Sequence, residues 1–168
     1  AEVKLQIEKL VIVTRRTRRD DLVARFNTPG QAKFYLDHSG GNFAEYQAEH
    51  DAYGRALEEL RRAVDFGLPR QFLDRSLVPT YTFAVGDLVI TLGQDGLVAN
   101  TAKYARGQPI LAVNPDPARF DGILLPFTLD QAPRGVESVL RGRAAMRPVT
   151  LAEATLKDGQ RLLAFNDL

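Results

Sequence analysis

The chain of 168 residues contains no cysteine. Disulfide scaffolds, thiolate-bound zinc and thiol catalysis are thereby excluded, and the composition is compatible with a cytoplasmic location. Only two histidines are present, His38 and His50, so a histidine-rich metal site is not expected and no metal ligand is assigned to the protein itself. Charge of either sign is not in surplus, because 22 basic residues face 21 acidic ones. Proteins that grip nucleic acid neutralise its phosphates with a clear basic excess, so nucleic acid is not an expected partner. No apolar run approaches the roughly 18 residues of a membrane span, and the first residues lack a signal-like apolar core. A soluble protein without a membrane partner is expected. Internal repeats, low-complexity tracts and long linkers are absent as well.

What the chain does have is concentrated between residues 87 and 100. Leu88, Val89, Ile90 and Leu92 form a nearly unbroken apolar run, as in a parallel strand buried on both faces. Gly93-Gln-Asp-Gly96 breaks it, and from Leu97 the apolar residues recur at helical spacing up to a stop at Gly107. This is strand, glycine turn, helix. Ligands of open parallel sheets bind at the carboxyl ends of strands, where glycines let the backbone approach a phosphate that the helix N-terminus stabilises. Asp95 is the single carboxylate of the turn. Because it repels phosphate oxygens, it is better suited to taking a proton from a hydroxyl, gripping a ribose or holding a metal ion. Gly-x-Asp-Gly also occurs in ordinary turns.

Two later stretches bear on that choice. A second apolar strand, Pro109-Ile-Leu-Ala-Val113, ends in Asn114, and the chain closes on Ala164-Phe-Asn-Asp167. Taken in order, these residues resemble the NAD kinase family, which carries Gly-Gly-Asp-Gly-Thr, a helix, a strand ending in Val-Asn, and later Asn-Glu or Asn-Asp after a hydrophobic strand. The resemblance runs from about residue 8 to the end and is strongest between 87 and 115. There are departures. Gln94 stands where the family has its second glycine, Leu97 where it has threonine, and Pro115-Asp116-Pro117 where it has a glycine-rich turn. The acid is kept while the phosphate cradle changes.

The resemblance implies an α/β domain followed by a β-rich one, of which this chain reaches only the first strands. A piece of a longer protein, or a chain that has lost that half, is expected. We therefore expect a Rossmann-like parallel sheet with helices on both faces over residues 1–143, and the opening hairpin of a β-rich domain over 144–168. It further implies ATP and Mg2+, with NAD as the phosphoryl acceptor. Asp95 would act on the acceptor hydroxyl, Gly93, Gln94 and Gly96 would shape the nucleotide turn, Asn114 would contact ligand, and Asn166 and Asp167 would hold the NAD ribose. A homodimer or higher homo-oligomer is implied too, with the aromatic face of the longest helix as a candidate surface. Two alternatives remain open: a nucleotide- or dinucleotide-binding protein of the same fold without kinase activity, and a related lipid or sugar kinase.

Elsewhere the sequence marks its elements clearly. Leu10-Val-Ile-Val13 is the first strand, and the basic loop Thr14–Arg19 follows it. By the same edge-of-sheet argument, Arg15 and Arg16 can meet phosphates, although charged loops are commonly just solvated. Thr17 with Asp20 reads as a capping box, and Thr28-Pro29 as a second helix start. Asn42 opens the longest helix, with a stripe of Phe43, Tyr46, His50, Tyr53, Leu57, Leu60 and Val64. Gly54 inside it suggests close approach by another element. Further expectations are a strand at Gln71–Asp74, a loop at Leu77–Phe83, a strand at Ile123–Leu125 and a helix near Pro133–Arg141. The last is a hairpin turning at Asp158-Gly159.

Overall fold

A computed structural model describes residues 6–120 and 125–144, together with the backbone of 149–155 and 161–167. Five strands form one all-parallel sheet: β1 (Lys9–Thr14), β2 (Arg70–Asp74), β3 (Asp87–Leu92), β4 (Ile110–Asn114) and the two-residue β5 (Phe127–Thr128). Their spatial order is β2-β1-β3-β4-β5. The helices are α1 (Arg18–Phe26), α2 (Pro29–His38), α3 (Phe43–Ala63), α4 (Asp95–Tyr104) and α5 (Ala132–Leu140). This is the expected Rossmann-like α/β architecture.

Both faces of the sheet are covered, which explains why its central strands alternate so little. Leu10 to Val13 and all six residues of β3 are buried. Side chains alternate across a strand. Leu10, Ile12, Leu88, Ile90 and Leu92 therefore pack on one face with Tyr53, Ala56 and Leu60 of α3 and Val136 and Val139 of α5. Val11, Val13 and Val89 pack on the other with Leu97 of α4, Val78 and Phe83.

The expected caps are present. The Thr17 side chain accepts from Asp20 N–H while Asp20 accepts from Thr17 N–H, closing a capping box at the start of α1. Thr28 caps α2 from in front of Pro29, and Asn42 caps α3 by accepting from Ala44 N–H. Gly107 and Gly142 take positive φ beyond α4 and α5, the left-handed conformation that costs glycine least.

Several expectations change. A 3-10 helix over Arg75–Thr80 takes up the first part of the loop expected at Leu77–Phe83, and Tyr81 to Phe83 continue without helix or strand; Asp74 starts it, its carboxylate accepting from Ser76 N–H and Ser76 Oγ–H. Six residues are too few to show a helical period in sequence. Among the described residues nothing lies within 4 Å of a Cβ built at Gly54, so the close approach expected there is not seen among them. The buried line of α3 runs through Phe43, Glu49, Tyr53, Ala56 and Leu60, and His50 and Leu57 lie beside it half-buried. Phe43 and Tyr53 thus belong to the chain's own interior, which removes them from the surface expected to meet another subunit. Among the described residues, the exposed aromatics are Phe34 and Tyr35 on α2. Of the strand expected at 123–125, Leu125 is buried but not in a strand, and residues 123 and 124 lie outside the described residues.

The C-terminal strands β6 (Val149–Thr155) and β7 (Arg161–Asp167) pair antiparallel as a separate sheet, with Thr155 opposite Arg161 and Val149 opposite Asp167. The expected Asp158-Gly159 turn lies outside the described residues. Both strands come within 8 Å of α4, Cα to Cα.

Candidate functional site

The strand order β2-β1-β3-β4-β5 reverses direction between β1 and β3. The chain leaves β1 towards β2 and leaves β3 towards β4, so the two departing loops part at their carboxyl ends and open a crevice, the usual ligand position in such sheets. Arg15 and Arg16 follow β1 there, and Gly93, Gln94 and Asp95 follow β3.

A tyrosine from α3 spans the opening. Beyond the last β1–β3 register pair, Val13 with Thr91, the Tyr53 hydroxyl donates to Leu92 C=O at 2.7 Å and accepts from Arg15 N–H at 3.1 Å. One side chain thus satisfies a backbone group on each side of the crevice. Burial pushes the Tyr53 hydroxyl up to about 12, so it keeps the proton that it donates. The Arg15 guanidinium lies over the Tyr53 ring, 4.9 Å from its centroid, with Nη1 3.7 Å from Glu49 Oε1. Glu49 is buried, and its other oxygen takes Arg18 at 2.7 and 2.8 Å. That hydrogen bond raises the Arg18 pKa. Among the described residues, two buried side-chain groups have no protein partner, Arg15 Nε and Thr91 Oγ1. Both belong to this end of the sheet.

The turn after β3 is set by packing. Gly93 N–H donates to Val113 C=O at 3.3 Å, tying the turn to β4. A Cβ on Gly93 would lie 2.7 Å from Leu97 Cδ2, and Leu97 is only 2% exposed. Glycine at 93 and leucine at 97 are therefore matched. Gln94 is exposed, occupies the N-cap of α4 in extended conformation, and makes no side-chain cap bond. Asp95 is half-buried in the first turn of α4, where the positive end of the helix dipole favours an acid. Among the described residues, a Cβ on Gly96 would meet nothing within 4 Å.

The other sequence candidates fall differently. Asn114 stands at the carboxyl end of β4, yet both ends of its amide are used within its own loop: Nδ2 donates to Phe120 C=O and Oδ1 accepts from Asp116 N–H. Its observed work is to close that loop. Arg16 is exposed and turns towards α1, donating to Asp20 C=O and pairing with Asp21. Asn166 and Asp167 end β7 opposite Thr150 and Val149, and their side chains lie outside the described residues. His50 has Nδ1 2.9 Å from Thr17 Oγ1, which makes it a support for the α1 cap.

Sequence reading missed Glu49 and the bridging role of Tyr53. They lie one helical turn apart on the buried face of α3, and the only signal was an acid i−4 to a tyrosine in the longest helix.

No family model matches the chain, and no curated protein matches it. Among solved structures it is similar to the crystal structure of yeast NADH kinase complexed with NADH, at 14% sequence identity and a TM-score of 0.40. The match covers 95% of this chain and 47% of that one, so the chain spans about half the length of that protein.

Proposed function

We propose that this chain is the acid-bearing half of an NAD kinase-like phosphotransferase, which moves the γ-phosphoryl group of ATP to the adenosine 2′-hydroxyl of NAD. The observation that carries the reading is the position of Asp95, in a glycine turn after β3, beside the arginine loop after β1 at the point where the strand order reverses. The resemblance of the ordered motifs supplies the substrates.

In this reaction the Asp95 carboxylate accepts the proton of the acceptor hydroxyl as its oxygen attacks the γ-phosphorus. A new O–P bond forms, the bond to the ADP oxygen breaks, and ADP leaves. No atom of the described residues lies within 4 Å of a Cβ built at Gly96, which supports an approach of phosphate oxygens to the start of α4. Magnesium usually arrives on the substrate phosphates and needs only one or two carboxylates. A single acid in the turn fits that pattern, and the described residues hold no cluster of three acids or histidines that would cage an ion by themselves. The ion would offset phosphate charge. Asn166 and Asp167 would hold the NAD ribose, a reading supported by the approach of β7 to within 8 Å of α4, Cα to Cα.

A second reading, a nucleotide-binding protein without kinase activity, is favoured by Leu97. Its side chain fills the core where the family has a hydroxyl at the helix start. NADP formation from NAD, ATP and magnesium, by this chain and by any longer natural product of its gene, separates the two. Asp95→Asn is expected to cut turnover by roughly 10²-fold or more, the scale of a lost general base. Unchanged turnover would overturn the assigned role, and nucleotide binding without turnover would select the second reading.

A further inference from the structure

We infer that Arg15 is the phosphate-gripping cation of the crevice, held for that purpose by Tyr53 and Glu49 as positioning residues. The inference rests on the functional reading above for where the ligand lies, and it names the group of that ligand that is held.

Arg15 differs from the other basic residues of its loop. Its backbone N–H is fixed by the Tyr53 hydroxyl, its guanidinium lies on the Tyr53 ring, and its side chain is 15% exposed. Arg16, the next residue, is 52% exposed and engaged with α1. A loop of merely solvated charge would not sequester one arginine in this way. Burying a guanidinium is costly unless its donors are paired, yet Arg15 Nε is buried with no protein partner.

Charge accounts for the sign of the ligand. Glu49 stands between Arg15 and Arg18, and Arg18 engages one carboxylate oxygen at hydrogen-bond distance while Arg15 lies 3.7 Å from the other. Glu45 also acts on Arg18, so Arg18 is the better neutralised of the two and the positive charge left for a ligand is that of Arg15. The arginine in closer pairing is Arg18, on α1. Arg15, at the carboxyl end of β1, uses Nη1 on Arg16 C=O at a long 3.4 Å and leaves Nε without a protein partner, so its guanidinium is only partly engaged when an anion arrives. A planar guanidinium fixed by stacking presents its N–H groups with little rotamer entropy left to lose, and phosphate oxygens match that fork. Tyr53 also ties Arg15 to the end of β3, so the cation stands at a fixed place relative to the turn that carries Asp95.

Phosphate oxygens could come from the ATP triphosphate or the NAD pyrophosphate, and calorimetry with ATP, inorganic triphosphate and NAD distinguishes them. Arg15→Ala is expected to weaken binding of at least one probe about ten-fold or more, and Arg15→Lys to recover only part of it, because charge returns without the planar fork. Loss against ATP and triphosphate assigns Arg15 to the donor; loss against NAD alone assigns it to the dinucleotide. Glu49→Gln should raise the KM or Kd for that same ligand and leave the other ligand's unchanged, a selectivity that a general loosening of the fold would not give. Equal losses at Arg15 and Arg16, no loss with any probe, or no binding of any probe by the unmutated chain would each overturn the assignment. Failure to form NADP with phosphate binding intact would sink the kinase reading while leaving this one standing.

Discussion

Replacing Tyr53 by phenylalanine removes one oxygen and leaves the ring that packs in the core. The hydroxyl serves two backbone groups, the buried Leu92 C=O at 2.7 Å and the partly buried Arg15 N–H at 3.1 Å. A buried group left without its partner costs roughly 1–3 kcal/mol. Leu92 C=O should pay most of that range, and Arg15 N–H less, because water can reach it. The expected loss is therefore about 2–3 kcal/mol. Urea unfolding should show a lower midpoint with an unchanged slope. The hydroxyl also predicts a pH dependence. Its folded pKa of about 12 lies above the ordinary value of 10, so the fold prefers the protonated form. This contribution is complete below pH 10 and is lost as pH rises from 10 towards 12. Two units correspond to about 2.7 kcal/mol at most. Tyr53→Phe has no such group, so the stability difference between the two proteins should shrink across that window. Other tyrosines and lysines titrate equally in both and cancel. A loss below about 0.5 kcal/mol at pH 7, within the range of an ordinary surface change, or a difference constant from pH 9 to 12, would refute the bridge.

Other substitutions test the remaining parts of the site and its scaffold. Gly54→Ala, in mid-helix with free space around it, should raise stability by roughly 0.4–1 kcal/mol in denaturant titration. Gly93→Ala should cost roughly 1–3 kcal/mol through its collision with buried Leu97, whereas Gly96→Ala should change stability by less than about 0.5 kcal/mol. Nucleotide binding, if the turn approaches phosphate, should fall with Gly96→Ala all the same. Thr91→Val replaces a buried hydroxyl that lacks a protein partner with a methyl of similar shape. It should raise the thermal midpoint, by an amount worth roughly 1–2 kcal/mol.

The legible parts of this protein were those whose signal is local or periodic. Strands β1, β3 and β4 announced themselves as apolar runs because both of their faces are covered. Thr17, Thr28 and Asn42 announced helix starts because a cap is made within a few residues. The carboxyl-edge positions of Arg15 and Asp95 followed from placing those strands in one parallel sheet. The unreadable parts depend on pairs distant in sequence. Tyr53 looked like any core aromatic, since its partners lie 38 and 39 residues away. Glu49 was not singled out at all, because its burial is tolerated only through Arg15 and Arg18, about 30 residues earlier. The stripe drawn on α3 met the buried line at Phe43, Tyr53 and Leu60, and sat one residue to the side at His50 and Leu57, where Glu49 and Ala56 are buried instead. Gly54 was misread for the complementary reason, since a glycine in a helix has no periodic signal to say which face it lies on.

The two departures in the central motif have different physical standing. Gln94 is exposed at an N-cap and makes no cap bond through its side chain, so the fold does not require it. Leu97 is 2% exposed, packs with Val11, Val13 and Val89, and occupies the volume that glycine at 93 leaves free. Exchanging it for threonine would trade a filled core position for a smaller, polar side chain, with both a cavity and a hydroxyl to accommodate. A hydroxyl at the start of α4 is therefore not a change this core accepts at one position alone. Leu97 and Gly93 form one packed unit, and that unit, rather than the glycine count of the motif, sets the course of the backbone into the turn that bears Asp95.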